Sequence, residues 1–112
     1  MAENLLATLV GESQARLACP PPPEEVGPRR SLRQALAAPG VRIIAEVKRR
    51  SPSAGVLRDP LEPASLAASY ARGGAAAISV VTEPRFFGGE AAWVSQVKRA
   101  CPLPVLQKDF FS

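Results

Sequence analysis

The feature that most constrains this chain is a rhythm. Short apolar runs suited to strands recur at intervals of roughly thirty residues, the length of a strand–loop–helix–loop unit. The runs are residues 43–48 (IIAEVK), 76–82 (AAISVVT) and 104–108 (PVLQK). Between them lie residues 63–72, with Leu66, Ala67 and Tyr70 at helical spacing and Gly73-Gly74 as a stop, and residues 90–100, with Trp93, Val94 and Val97 on one face. Strands separated by a helix pair in parallel, so the segment reads βαβαβ.

Residues 1–40 follow another pattern and form a helical extension, leaving 41–112 as the strand-bearing unit. Residues 3–17 place Leu5, Leu6, Leu9, Val10 and Leu17 as one amphipathic helix would. Cys19 and the run Pro20-Pro21-Pro22-Pro23 end it. Ser31 then caps a second short helix, residues 32–38, which Pro39-Gly40 terminates.

Composition narrows the function classes. With 46 % hydrophobic and 21 % charged residues the chain is globular and about one domain long. Its net charge of +4 raises the question of an anionic partner. Arg29-Arg30, Lys48-Arg49-Arg50 and Lys98-Arg99 are short, separated and free of interleaved aromatics, which suits solvated faces better than nucleic acid. A small phosphorylated substrate would use the same positive potential. There is no histidine and only two cysteines, so zinc sites and Ser-His-Asp chemistry are poorly supported. No secretory core or bilayer-length apolar run occurs, and the expected compartment is the cytoplasm, with both thiols reduced.

Two parallel α/β architectures compete, an open doubly wound sheet and a closed barrel. The open nucleotide-binding sheet calls for GxGxxG after its first strand, where this chain has Lys48-Arg49-Arg50-Ser51-Pro52-Ser53-Ala54-Gly55. A barrel fits better, because polar residues sit at the C-terminal ends of all three strands, where barrels build active sites. Alternation puts Ile44, Glu46 and Lys48 on one face of the first strand and Leu106 and Lys108, then Phe110, on one face of the third. If those faces look inward, Glu46, Lys48 and Lys108 converge at one mouth, a set suited to moving protons and holding anions. An exposed rim pair explains Glu46 and Lys48 equally well, and Lys108-Asp109 could be a plain strand-to-loop transition.

Taken together, Ala45-Glu46-Val47-Lys48-Arg49-Arg50-Ser51-Pro52-Ser53 with Gly55 resembles the signature of indole-3-glycerol-phosphate synthases. The rest agrees in order and spacing: residues 70–79 (YARGGAAAIS), Val80-Val81-Thr82-Glu83 with Phe86-Phe87-Gly88-Gly89 after it, and Pro104-Val105-Leu106 leading into Lys108-Asp109-Phe110. The likeness spans residues 31–111, and the first helix is similar to the extension that precedes the barrel in this family.

The resemblance implies a (β/α)8 TIM barrel and a carboxy-lyase of tryptophan biosynthesis. Such enzymes convert 1-(2-carboxyphenylamino)-1-deoxyribulose 5-phosphate to indole-3-glycerol phosphate with loss of carbon dioxide and water, using no metal or organic cofactor. By position, Lys108 is then the general acid that protonates the substrate ketone. Lys48 holds anionic substrate groups and acts as an acid in dehydration, and Glu46 orients these groups and takes a proton during rearomatisation. Ser51, Phe87 and Phe110 match substrate-pocket positions, while Ser79 and Val81 would line the barrel interior.

It also implies an incomplete barrel. A full one has eight strand–helix units in about 250 residues; this chain carries three strands and ends at Ser112. A second catalytic glutamate, an asparagine and most phosphate-binding loops belong to later strands of the family. The N-terminal fragment is expected to expose sheet edges, to aggregate or fold partly, and to lack synthase activity alone. Its expected partners are the phosphorylated substrate and the missing C-terminal barrel half or a fused tryptophan-pathway domain, with no nucleic acid and no membrane. Two other readings stay open. An isomerase of the tryptophan or histidine pathway would share the rhythm without these motifs, and a non-catalytic fragment would act only through association with a partner chain.

Overall fold

A five-residue strand that is buried along its whole length organises the molecule. The computed structural model describes residues 2–17 and 29–110. In chain order the elements are α1 (Ala2–Leu17), α2 (Leu32–Ala37), β1 (Ile44–Val47), β2 (Arg50–Ser51), β3 (Gly55–Val56), α3 (Pro63–Arg72), β4 (Ala77–Val81), α4 (Trp93–Ala100) and β5 (Val105–Lys108). The run Ala-Ile-Ser-Val-Val has no exposed position because β4 is the middle strand of a parallel sheet ordered β1-β4-β5, with α3 and α4 packed on one face.

The register aligns alternate residues across the sheet. Ile44 pairs with Ala77, Glu46 with Ser79, Ser79 with Leu106, and Val81 with Lys108. The other alternate set, Val47, Ile78 and Val80, is fully buried and meets Ala67 of α3 and Trp93 and Val97 of α4. That contact is the core. On the opposite face Ile44 and Leu106 stay 41 % and 42 % exposed, and among the described residues β1 and β5 each pair on one side only, so no closed cylinder is present.

Local chemistry sets most boundaries. Ser31 caps α2, its hydroxyl accepting Gln34 N–H at 3.1 Å. The helix ends at Ala37, one residue short of expectation, because Ala38 precedes Pro39 and is held extended. Pro63 opens α3, where its missing N–H costs nothing. Helix α4 starts at Trp93 and not at residue 90, since Glu90 and Ala91 make only turn-type bonds to Trp93 and Val94. Strand β5 starts after Pro104, whose carbonyl accepts Ile78 N–H.

One element departs from the sequence expectation. Strands β2 and β3 form an antiparallel hairpin across Ser-Pro-Ser-Ala, with Arg50 opposite Val56 and Ser51 opposite Gly55. Ser51 Oγ accepts Ala54 N–H at 3.1 Å, and Gly55 takes the left-handed φ of 70° that the turn requires. Cys19, the Pro20–Pro23 run and Phe111 lie outside the described residues. Among the described residues no helix is long and apolar enough to cross a membrane.

Candidate active site

Three strand ends bring their polar side chains together on the open face of the sheet. Glu46 leaves β1 opposite Ser79 on β4, and Lys108 stands on β5 two residues beyond Leu106, the partner of Ser79. Tyr70 Oη donates to the Glu46 carbonyl at 2.9 Å and ties this point of β1 to α3. The carboxylate sits between two cations: Lys48 Nζ lies 3.5 Å from Oε1, and Lys108 Nζ donates to Oε2 at 3.2 Å. Ser79 Oγ donates to the same Oε2 at 3.3 Å.

Desolvation pushes the Glu46 carboxyl up, but the hydrogen bond and charge of Lys108, then Lys48 and Ser79, outweigh it and hold the group below the usual carboxylate range. The cluster is half-open. Side-chain exposure is 30 % for Glu46, 32 % for Lys48 and 62 % for Lys108, so both ammonium groups remain within reach of an incoming anion.

Beside it lies a cavity of about 470 Å³ lined by Lys48, Ser51, Phe87 and Phe110. Pro52 and Ser53 of the hairpin turn and Leu5, Leu6 and Leu9 of α1 complete the wall. The rings of Phe87 and Phe110 stand 6.3 Å apart, tilted by 38°. Lys48 belongs to both the ionic cluster and the cavity, so a flat, partly apolar anion in the slot would meet an ammonium at its edge. Ser79 and Val81 are buried in the sheet beneath and do not line the cavity.

Several shaping residues carried no sequence signal of their own. Asp109 is one: its side chain is 2 % exposed and its two oxygens each accept from one Arg16 guanidinium nitrogen at 2.8 Å. Thr82 Oγ1 donates to it at 2.9 Å and Phe110 N–H at 2.7 Å. Burial pushes the Asp109 carboxyl up; the Arg16 hydrogen bonds, the Phe110 amide and the Thr82 hydroxyl together hold it down. Ser13 Oγ donates to the Phe110 carbonyl, and Glu12 pairs with Arg85. Helix α1 is thereby fastened to the strand end that bears Lys108. The i, i+4 spacing of Leu5, Leu9 and Ser13 was the available hint, and nothing local showed what that face would meet.

Comparison with known proteins returns one consistent match. The family model described as indole-3-glycerol phosphate synthase matches residues 9–112. The chain is 52 % identical over 99 residues to an indole-3-glycerol phosphate synthase of Saccharopolyspora erythraea, covering 88 % of this chain and 35 % of that protein. It is 57 % identical over 83 residues to one from Methanopyrus kandleri, covering 72 % and 33 %. A third, from a Nocardioides species, is 48 % identical over 110 residues, covering 98 % and 40 %. The chain thus spans between 33 % and 40 % of the length of these relatives.

Proposed function

The chain belongs to the indole-3-glycerol phosphate synthase family, and from that premise we propose that it supplies the first three strands and the acid–base cluster of a cytoplasmic (β/α)8 lyase of tryptophan biosynthesis. Residues 1–40 are its N-terminal extension and 41–112 the start of the barrel. The substrate is 1-(2-carboxyphenylamino)-1-deoxyribulose 5-phosphate. The remaining strands come from further polypeptide or from a partner chain.

The observation that carries this reading is one carboxylate, Glu46, with an ammonium group on each oxygen at 3.5 and 3.2 Å, next to an aromatic slot. Ring closure forms a bond between the carboxylated aromatic carbon and the ketone carbon, and the carbonyl oxygen gains negative charge. Lys108 gives that oxygen its proton as the charge develops, which is where an acid lowers the barrier. Carbon dioxide then leaves from the ring carbon and restores aromaticity. Lys48 assists departure of the hydroxyl as water, and Glu46 takes up the remaining proton. Phe87 and Phe110 hold the ring against the carbonyl carbon, with Ser51 at its edge, so that the reacting atoms meet without a search. Ser79 steadies Glu46, and Val81 packs the interior beneath Lys108.

The test joins residues 1–112 to the portion of the Saccharopolyspora erythraea relative that lies beyond the match. The chimaera is expected to turn the substrate over. In it Lys108→Met should lower turnover by about 10³-fold, within the usual range for a general acid, while substrate still binds. Near-normal turnover of that variant overturns the assignment.

A further inference from the structure

Glu83 stands in the turn that leaves β4 and is 0 % exposed. A carboxyl group in such a place needs hydrogen bonds in place of water. Here they come from three consecutive backbone amides: Arg85 N–H donates to Oε1 at 2.8 Å, and Phe86 and Phe87 N–H donate to Oε2 at 2.7 and 3.0 Å. The Glu83 carbonyl in turn accepts Gly89 N–H at 2.8 Å. One residue therefore closes the turn from both ends.

The turn has little freedom elsewhere. Gly88 has φ of 64°, and a Cβ on Gly89 would lie 2.3 Å from the Val81 carbonyl oxygen, so the chain passes here only without a side chain. What the turn presents is Phe87, which lines the cavity opposite Phe110. Arg50 reads the same turn, donating its N–H to the Phe87 carbonyl at 3.3 Å and its guanidinium to the Arg85 carbonyl at 2.7 Å.

We infer that Glu83 is a positioning residue for aromatic binding: by gathering the amides of residues 85–87 it fixes Phe87 as a wall against a benzoate-type ring. The inference rests on the proposed function, since it supposes that the cavity takes the arene of the substrate. Glu83 touches no ligand and acts through Phe87. Replacing it by glutamine keeps its size but turns one acceptor oxygen into a donor, which no longer serves the amides of the turn. The Phe87 ring then samples positions outside the slot.

The experiment uses the 112-residue chain and 2-aminobenzoate as probe, followed by its own fluorescence, with amide hydrogen exchange as a second readout. Glu83→Gln should weaken 2-aminobenzoate by about tenfold and speed exchange at residues 85–87 while the amides of Ile78 and Val80 stay protected. Phe87→Ala should weaken the probe by a similar factor, and Glu83→Gln added to it should weaken it no further, because both act through one ring. Unchanged affinity in Glu83→Gln, or additive losses in the double variant, overturns the positioning role. Should Glu83→Gln lose protection at β4, Glu83→Asp gives the same comparison, and loss of β4 protection in both assigns the carboxyl group to stability alone. If the unaltered chain fails to bind 2-aminobenzoate, the inference falls together with the assignment of the cavity to the arene; binding indifferent to Glu83 removes the inference only.

Discussion

Arg16 and Asp109 meet in a two-point contact, each guanidinium nitrogen 2.8 Å from its own carboxylate oxygen, across 93 positions of sequence. The contact fastens α1 beside Lys108 and Phe110, and thereby fixes the helix whose leucines wall the cavity. Arg16→Gln strands a side chain that is 2 % exposed. Arg16 itself is 36 % exposed, which moderates the penalty to about 1–3 kcal/mol. Denaturant unfolding should record that loss, and a variant as stable as the parent would show that the contact holds nothing.

Acidification should release the same contact. The Asp109 carboxyl titrates below its ordinary range in the folded chain, so its stabilising contribution is complete above the unfolded value of about 3.9 and disappears as pH falls through the lower, folded value. Arg16, raised by its hydrogen bond to Asp109, stays charged throughout. Exchange of the α1 amides should be flat from pH 7 to about pH 5 once corrected for intrinsic rates, and should rise only in more acidic solution. Release of α1 near neutrality would contradict this.

Removing the shared carboxylate is expected to disable the ionic cluster. In the chimaera Glu46→Gln leaves Lys48 and Lys108 without their common anion, and turnover should fall by at least about 10²-fold. Steady-state kinetics beside Lys108→Met provide the check, and a Glu46→Gln enzyme at parental turnover would remove Glu46 from the chemistry.

Two glycines should answer oppositely to alanine. Gly89→Ala drives a methyl group into the backbone of Val81 and Thr82 and should cost at least about 1–3 kcal/mol. Gly11→Ala, inside α1 with nothing beyond the helix's own nearby backbone within 4 Å of the new methyl, should gain about 0.5–1 kcal/mol. Thermal unfolding of the pair decides; equal shifts would refute the close approach at residue 89.

Residues 1–112 by themselves should show no turnover. The open face of the sheet leaves Ile44 and Leu106 about two-fifths exposed, and the cavity lies beside it, so substrate cannot be shut away from water. Measurable conversion by the purified chain would overturn this.

Much of the fold was legible because local chemistry decides it. Pro63 and Gly73 bracket α3 at the residues where the helix begins and stops, and Ser31 caps α2 as its type suggests. Period-two alternation put Glu46, Lys48 and Lys108 on one side, and their ion pairs agree with that geometry. The hairpin over Ser-Pro-Ser-Ala has no signature in the sequence because two-residue strands leave no periodic trace. Asp109 read as a loop residue because its value comes from Arg16, far away in sequence. The burial of Glu83 was equally hidden, since an acid after a strand ordinarily faces water and only the amides folding back on it show otherwise.

The two outer strands of the sheet carry a last implication. Both run in the same direction and both keep one row of peptide groups without a strand neighbour among the described residues. A complementing polypeptide that continues the pattern must satisfy both rows at once, so its own terminal strands must come within one strand spacing of β1 and β5, about 4.8 Å. Under the proposed function, reassembly from two pieces is therefore a geometric all-or-nothing event: a complement that is one strand too short caps one seam and leaves the other gaping, and it gains no ring.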